Sequence, residues 1–560
     1  MLRLDASTLD YGILAIYFAV VLGIGLVARL TIKSDIDFFL SGRSLPAWIT
    51  GLAFIAANLG ALEILGMAAN GAQYGVATVH FYWIGAVPAM VFLGLVMMPF
   101  YYGAKVRSVP EYLRLRFGEF AHAWNSASFA VATVLISGVN LFALALVLHL
   151  MLGWSLTVAI FVAAAIVLAY ITLGGLTSAI YNEVLQFFII VASLLPLMLV
   201  ALHDMGGVEG LKEKVRHSKL GELGLHAWQG LAPGHVTNPI GGDWIAMVMG
   251  LGFVLSFGYW TTNFAEVQRA LSAKNMSAAQ RTPLIGAYPK IFIPALTIIP
   301  GLIALAVIPK LGTPKGASYN DAIPILMGRF LPNGALGVAL AGLLAAFMAG
   351  MAANVSSFNT VFTYDIWQTY IRRGRRDRYY LNVGRAVTVA GILIGIGTAF
   401  IASGYSNIMN YIQLLFSFFN APLFATFILA MFWKRTTPWA GFFGLVAGTL
   451  GAGVMHFAGY HIAYFYKDQV FDPSHSMINA QMLNFYGAIT AFVADLVVTV
   501  AVTMVTRPKP VAELAGLVWG VHDPNAPDPD SVPKPAWWAS PKLLATVSIG
   551  IVIVLSIIFA

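Results

Sequence analysis

The stretch FIAANLGALEILGMAANG, residues 54–71, lies inside an apolar run long enough to cross a bilayer, yet it holds Asn58, Glu63 and Asn70 together with Gly60, Gly66 and Gly71. A charge near the bilayer centre costs about 2.5 to 3.5 kcal/mol even on insertion scales, so it is paired or functional where it occurs. Two readings follow from the residues. The glycines let neighbouring helices approach closely. Alternatively the helix breaks here and its polar groups line an internal cavity, the one place where irregular backbone is tolerated at membrane depth.

The rest of the chain agrees with a membrane setting. Of its 560 residues 59% are hydrophobic and 10% charged, against about a quarter charged in soluble domains, and the mean hydropathy is +0.79. About 30 Å of hydrocarbon needs roughly 20 apolar residues of helix. On that unit we expect an all-α polytopic protein of about 14 spans, near 10–30, 45–71, 79–104, 123–152, 155–174, 179–204, 242–264, 282–309, 333–363, 382–403, 405–432, 438–459, 481–506 and 540–559. The expected organisation is a first helix and loop (1–44), a first five-helix unit (45–204) and a loop with a surface helix (205–241). A second five-helix unit (242–432), peripheral helices (433–506), a Pro- and Asp-rich linker (507–539) and a last helix (540–560) follow. MLRLDASTLD has no basic n-region, so the first apolar run reads as a true helix and not as a cleaved signal.

With this count, the loops on one side hold 20 of the 32 basic residues, RRGRRDR (372–378) among them, and those on the other side hold nine. The positive-inside rule then puts both termini outside a cell membrane. The formal charge of +8 is explained by topology, and no nucleic-acid partner is expected, since basic residues interleaved with aromatics in a soluble module are lacking. Cysteine is absent, which excludes disulfides and thiolate metal sites. No P-loop is present, and no nucleophile–base pair or metal-ligand cluster marks an enzyme. His149 and His456 are lone.

Span two has a counterpart. MGLGFVLSFGYWTTNFAE (249–266) in span seven is also rich in glycine and polar residues, stands five spans later and runs the opposite way across the bilayer. Paired interrupted helices at corresponding places of inverted halves point to the midplane site of a secondary transporter.

Five blocks carry a resemblance to a known family: SVPEYLRLRFG (108–118), GGLTSAIYNEVLQ (174–186), VQRALSAKNMSAAQ (267–280), FNTVFTYDIW (358–367) and YIQLLFSFFNAPLFATFILAMFWKR (411–435). In order and content they resemble the sodium/solute symporter family, most closely its sodium/glucose cotransporter branch. The resemblance implies the LeuT-type fold, two inverted five-helix repeats in spans two to six and seven to eleven, and alternating access. It implies a polar-solute site at Asn58, Tyr259, Trp260, Lys290 and Gln413. At three further positions this chain departs from the sugar-binding pattern: Glu63 replaces an amide or imidazole, Tyr82 a glutamate and Ser256 an asparagine. Glu63 and Lys290 either pair with each other or meet the solute.

The resemblance also implies a sodium site made of the carbonyls of Ala56, Leu59 and Ala346 plus two hydroxyls. Here the hydroxyl positions are Ala349 and Gly350, so the expected site is weakened. Ser356, Ser357 and Thr360 lie about 9 Å or more further along the helix. Coupling therefore falls to weakly held sodium, to protons through Glu63 or Glu183, or to no ion. No other cofactor is expected. The expected function is import of a small polar solute, a sugar or polyol, from a lipid-embedded chain. A proton-coupled or uncoupled carrier of a carboxylate or amino acid is the alternative, and a sensor or channel a remote one.

Overall fold

The computed structural model describes residues 5–29, 41–233, 235–465, 480–521 and 535–559. Lys33, Lys467, Lys534 and much of the 507–539 linker, which entered the charge and linker readings, lie outside the described residues.

Among the described residues ten helices are long and apolar enough to cross a membrane, or eleven if the bent pair Ala47–Asn58 and Leu62–Tyr74 forms one span. Three shorter apolar helices, Thr8–Ile24, Leu156–Ala169 and Ala246–Thr262, fall on expected spans one, five and seven. The chain is thus a multi-pass helical membrane protein. Helices Glu119–Leu152 and Ala335–Ile371 are 89% buried over their apolar windows, whereas Pro541–Ile558 is 17% buried. The former pair forms the centre of the bundle and the latter lies on its rim. Side chains such as Ile16, Val131, Phe188, Leu393, Val454 and Ile557 are exposed on the outside, where lipid and not water is their solvent.

The opening stretch breaks as its composition allows. Ala47–Asn58 ends at Leu59 (ψ 37°), and the chain resumes as wide, π-type turns over Leu62–Gly66 leading into Met67–Tyr74. The two halves meet at 57°. Gly60 is required there: a Cβ would stand 2.6 Å from Asn140 Oδ1 and 3.2 Å from the Cα of Gly350. Gly66 would find only ordinary van der Waals contacts.

Span seven differs from expectation. It runs as π-type turns over Ala246–Ser256 and on through Phe257–Thr262 without a break at its glycines. Its interruption comes later, at Asn263 (ψ 111°), whose side chain caps the next helix, Phe264–Leu271, through the Ala265 N–H. The glycines serve packing instead. A Cβ on Gly250 would stand 2.6 Å from the Phe485 carbonyl, and one on Gly258 2.7 Å from that of Asn420.

The span-eight helix, Met276–Val307, stays helical through four internal prolines and packs along both halves of span two. The expected surface helix is present as Gly207–Arg216, followed by a two-stranded hairpin, Leu231–Ala232 with His235–Val236, that the sequence did not announce. The span-eleven helix, Ile408–Phe432, ends on a buried guanidinium. Arg116 donates to the carbonyls of Ala430, Trp433 and Thr436 at 2.9 to 3.0 Å, matching cation to helix C-terminus. Burial lowers its pKa to about 10, so it stays charged at neutral pH.

Candidate functional site

The break in span two, spans three and seven, the middle of span eight and the first half of span eleven line a small cavity. Asn58, Glu63, Tyr82, Ser256, Tyr259, Trp260, Lys290 and Gln413 all line it. Every solute-site residue expected from the sequence is therefore in one place.

Lys290 organises the cavity. Its ammonium sits 2.7 Å from Glu63 Oε2 and donates to Asn58 Oδ1 at 2.5 Å. Those two residues flank the helix break, so one cation ties the half-helices together. The rings of Tyr82 and Trp260 each lie 5.0 Å from the same nitrogen, within cation–π range. The Tyr82 hydroxyl, 3.2 Å from Thr297 Oγ1, is also anchored to span eight. The choice left open by the sequence resolves here as an ion pair. It still leaves Glu63 half available, because Oε1 is buried with no hydrogen-bond partner.

From Lys290 a directed chain of donors runs away from the cavity. Asn58 Nδ2 donates to the Tyr259 hydroxyl at 3.0 Å, and that hydroxyl donates to Glu266 Oε1 at 2.7 Å. Tyr259 stacks on Phe416 with ring centres 4.5 Å apart, closing the cavity toward the helix that carries Glu266. One turn before Phe416 on the span-eleven helix, Gln413 reaches only the sulfur of Met409 (3.6 Å) with its amide nitrogen, and its Oε1 has no partner.

Sequence reasoning missed Glu266, Met67, Met409 and Phe416. Glu266 closes the stretch singled out in span seven and could have been found as a carboxylate beside an apolar run. The others are apolar residues with no signal of their own. Glu183 stands outside the cavity lining. It lies in the helical run Leu156–Asp204, fully buried, and Arg269 grips both its oxygens at 2.5 and 3.2 Å. Among the described residues no group of three or more His, Cys, Asp or Glu is arranged to hold a metal.

A broken helix facing a polar cavity inside a multi-pass bundle defines a helical membrane transporter. More narrowly, the chain belongs to the sodium:solute symporter family, whose model matches residues 38–448. It is 31% identical over 547 residues to sodium/glucose cotransporter 1 of Ovis aries, covering 92% of this chain and 81% of that one. It is likewise 31% identical over 472 residues to the sodium/glucose cotransporter of Vibrio parahaemolyticus, covering 79% and 84%. Among solved structures it resembles a substrate-bound, outward-open Na⁺-coupled sialic acid symporter (TM-score 0.72, 18% identity, 90% of this chain and 99% of that one). It also resembles Mhp1, a nucleobase-cation-symport-1 family transporter, in a closed conformation (TM-score 0.51, 14% identity, 87% and 98%). These two show a LeuT-like fold. The chain is a transporter and not an enzyme, and the family implies no cofactor beyond its coupling ion, sodium.

The residues at the expected sodium position do not fit that ion. Ala349 and Gly350 bring no oxygen in their side chains, and the hydroxyls of Ser356, Ser357 and Thr360 lie about 9 Å or more further along the same helix. Ser357 donates to Asn354 O and Thr360 to Ser356 O.

Proposed function

We propose that this chain imports a small neutral solute rich in hydroxyls, a sugar or polyol, by alternating access around the cavity at Lys290. The observation that carries this reading is the imbalance of free polar atoms. Glu63 Oε1 and Gln413 Oε1 are buried acceptors without donors, while the ammonium of Lys290 is already held by Glu63 and Asn58. A ligand that donates hydrogen bonds completes this wall, and a carboxylate would confront Glu63. Aromatic faces at Tyr82, Trp260 and Phe416 suit the apolar side of a sugar ring. The cotransporter names of the relatives support the same class.

In this reading the bundle has 14 spans in two inverted five-helix repeats, with both termini outside the cell membrane. The carboxylate of this cavity stands on the broken helix as Glu63, while Tyr82 occupies the span-three position where the resemblance implies a glutamate. Both proton-coupling candidates are paired, Glu183 with Arg269 and Glu63 with Lys290, but only Glu63 lines the cavity and keeps an oxygen without a partner, so of the two it is the one a proton would reach.

The experiment is equilibrium binding of radiolabelled glucose, galactose and sorbitol to the purified chain, with lactate and alanine as contrasts. A hydroxylated neutral solute should bind and the acids should not; binding of lactate alone would refute the assignment. Gln413→Ala should weaken binding of the preferred solute by about 1 to 3 kcal/mol, the cost of a lost bond to a buried acceptor. Unchanged affinity would remove Gln413 from the site.

A further inference from the structure

The break in span two is held shut by protein atoms. Gly60 lies in the break and Gly350 on the span-nine helix, Ala335–Thr360. A Cβ built on either glycine would stand 3.1 to 3.2 Å from the Cα of the other. The two main chains therefore touch with no side chain between them. Into the same point comes Asn140, an amide 3% exposed in the middle of the span-four helix, Glu119–Leu152. Its Oδ1 lies 2.6 Å from the Cβ position of Gly60 and 2.5 Å from that of Gly350, and it accepts the Ala61 N–H at 3.0 Å. That N–H is one of the orphan donors at the start of the second half-helix. Asn140 thus caps the half-helix while filling the space beside the break. A serine at position 350 would have no room for its Cβ, let alone its hydroxyl.

A hard cation is held by a shell of oxygens, about six to eight of them at about 2.3 to 2.6 Å in the case of calcium. At this junction two backbones are in contact, the side chains of Ala349 and Gly350 carry no oxygen, and the Asn140 amide fills the space that a hydroxyl at position 350 would need while it accepts the Ala61 N–H. We propose that this chain has lost the family's cation seat between spans two and nine, and that the Asn140 amide holds the broken helix in the cation's place. The inference rests on reading the chain as a symporter, and its test measures ion binding without any solute, so that failure of the sugar assignment leaves it untouched.

The test is binding of radioactive sodium to the purified full-length chain, compared with Asn140→Ala/Ala349→Ser/Gly350→Ser, which clears the wedge and restores two hydroxyls. The wild type should show no saturable binding and, because an absent site adds nothing by mass action, no rise in thermal unfolding midpoint as sodium replaces choline up to about 100 mM. The rebuilt variant should gain saturable binding and a sodium-dependent midpoint. Asn140→Ala alone should lower the midpoint in both salts. Saturable millimolar sodium binding by the wild type would overturn the proposal, as would an Asn140→Ala midpoint equal to the wild type's. Should the rebuilt variant fail to fold, the wild-type measurement decides alone.

Discussion

Replacing Lys290 with methionine should destabilise the protein by about 3 to 5 kcal/mol, the range seen when one partner of a buried ion pair is removed. The side chains of Lys290 and Glu63 are 3% and 4% exposed, so water cannot take over for the missing charge. Methionine keeps the length of the stem, which limits the packing loss, and the cost falls on Glu63 and on Asn58, whose Oδ1 also loses its donor. Because those residues flank the break, the damage should concentrate in span two. Glu63→Gln/Lys290→Met removes both charges and should regain most of the lost stability. Solute binding should stay weaker than in the wild type, since a neutral amide oxygen is a poorer acceptor than the carboxylate. Thermal unfolding of the detergent-solubilised proteins, followed by size-exclusion fluorescence, reads the first effect. A single variant as stable as the wild type, or a double variant less stable than the single, would show that the pair does not work this way.

How far the site could be read in advance depended on whether its signal was local. Glu63 and Lys290 stand out because a charge in an apolar run has to be explained, and both line the cavity. That they pair was not legible, since they are 227 positions apart and the contact depends on how span eight crosses the break. Composition misled in span seven. Its glycines look like those of span two, but what decides between a break and a tight contact is the partner. The partners, the backbones of Phe485 and Asn420, lie far along the chain. Asn140 was visible as an amide in the middle of a 34-residue apolar helix that also carries Asn125 near its start, yet nothing local to it points to Gly60 and Gly350. The missing hydroxyls at Ala349 and Gly350 could be read only through the resemblance, because an alanine and a glycine in a membrane helix raise no question by themselves.

Tyr259→Phe should open the floor of the cavity. The hydroxyl it removes accepts from Asn58 at 3.0 Å and donates to Glu266 at 2.7 Å, so the variant leaves one amide donor and one carboxylate oxygen unserved. Glu266 is 2% exposed and its other oxygen already has no partner, which makes the closed arrangement costlier still. One neutral bond and one to a charged group sum to about 3 kcal/mol, or about a hundredfold shift in a two-state equilibrium. The stacking on Phe416 survives in phenylalanine, so the change isolates the hydrogen bonds from packing. The chain has no cysteine, which gives labelling experiments a clean background. Ser256→Cys places a thiol in the cavity lining, and Arg375→Cys marks the exposed basic loop. In inverted membrane vesicles an impermeant thiol reagent should modify Arg375→Cys at once, as the proposed orientation requires. Ser256→Cys should be modified slowly with Tyr259 in place and about a hundredfold faster with Tyr259→Phe. Equal rates at the cavity thiol would mean that the floor is held by Phe416 and Trp260, and that the chain of donors from Lys290 to Glu266 has no part in the gate.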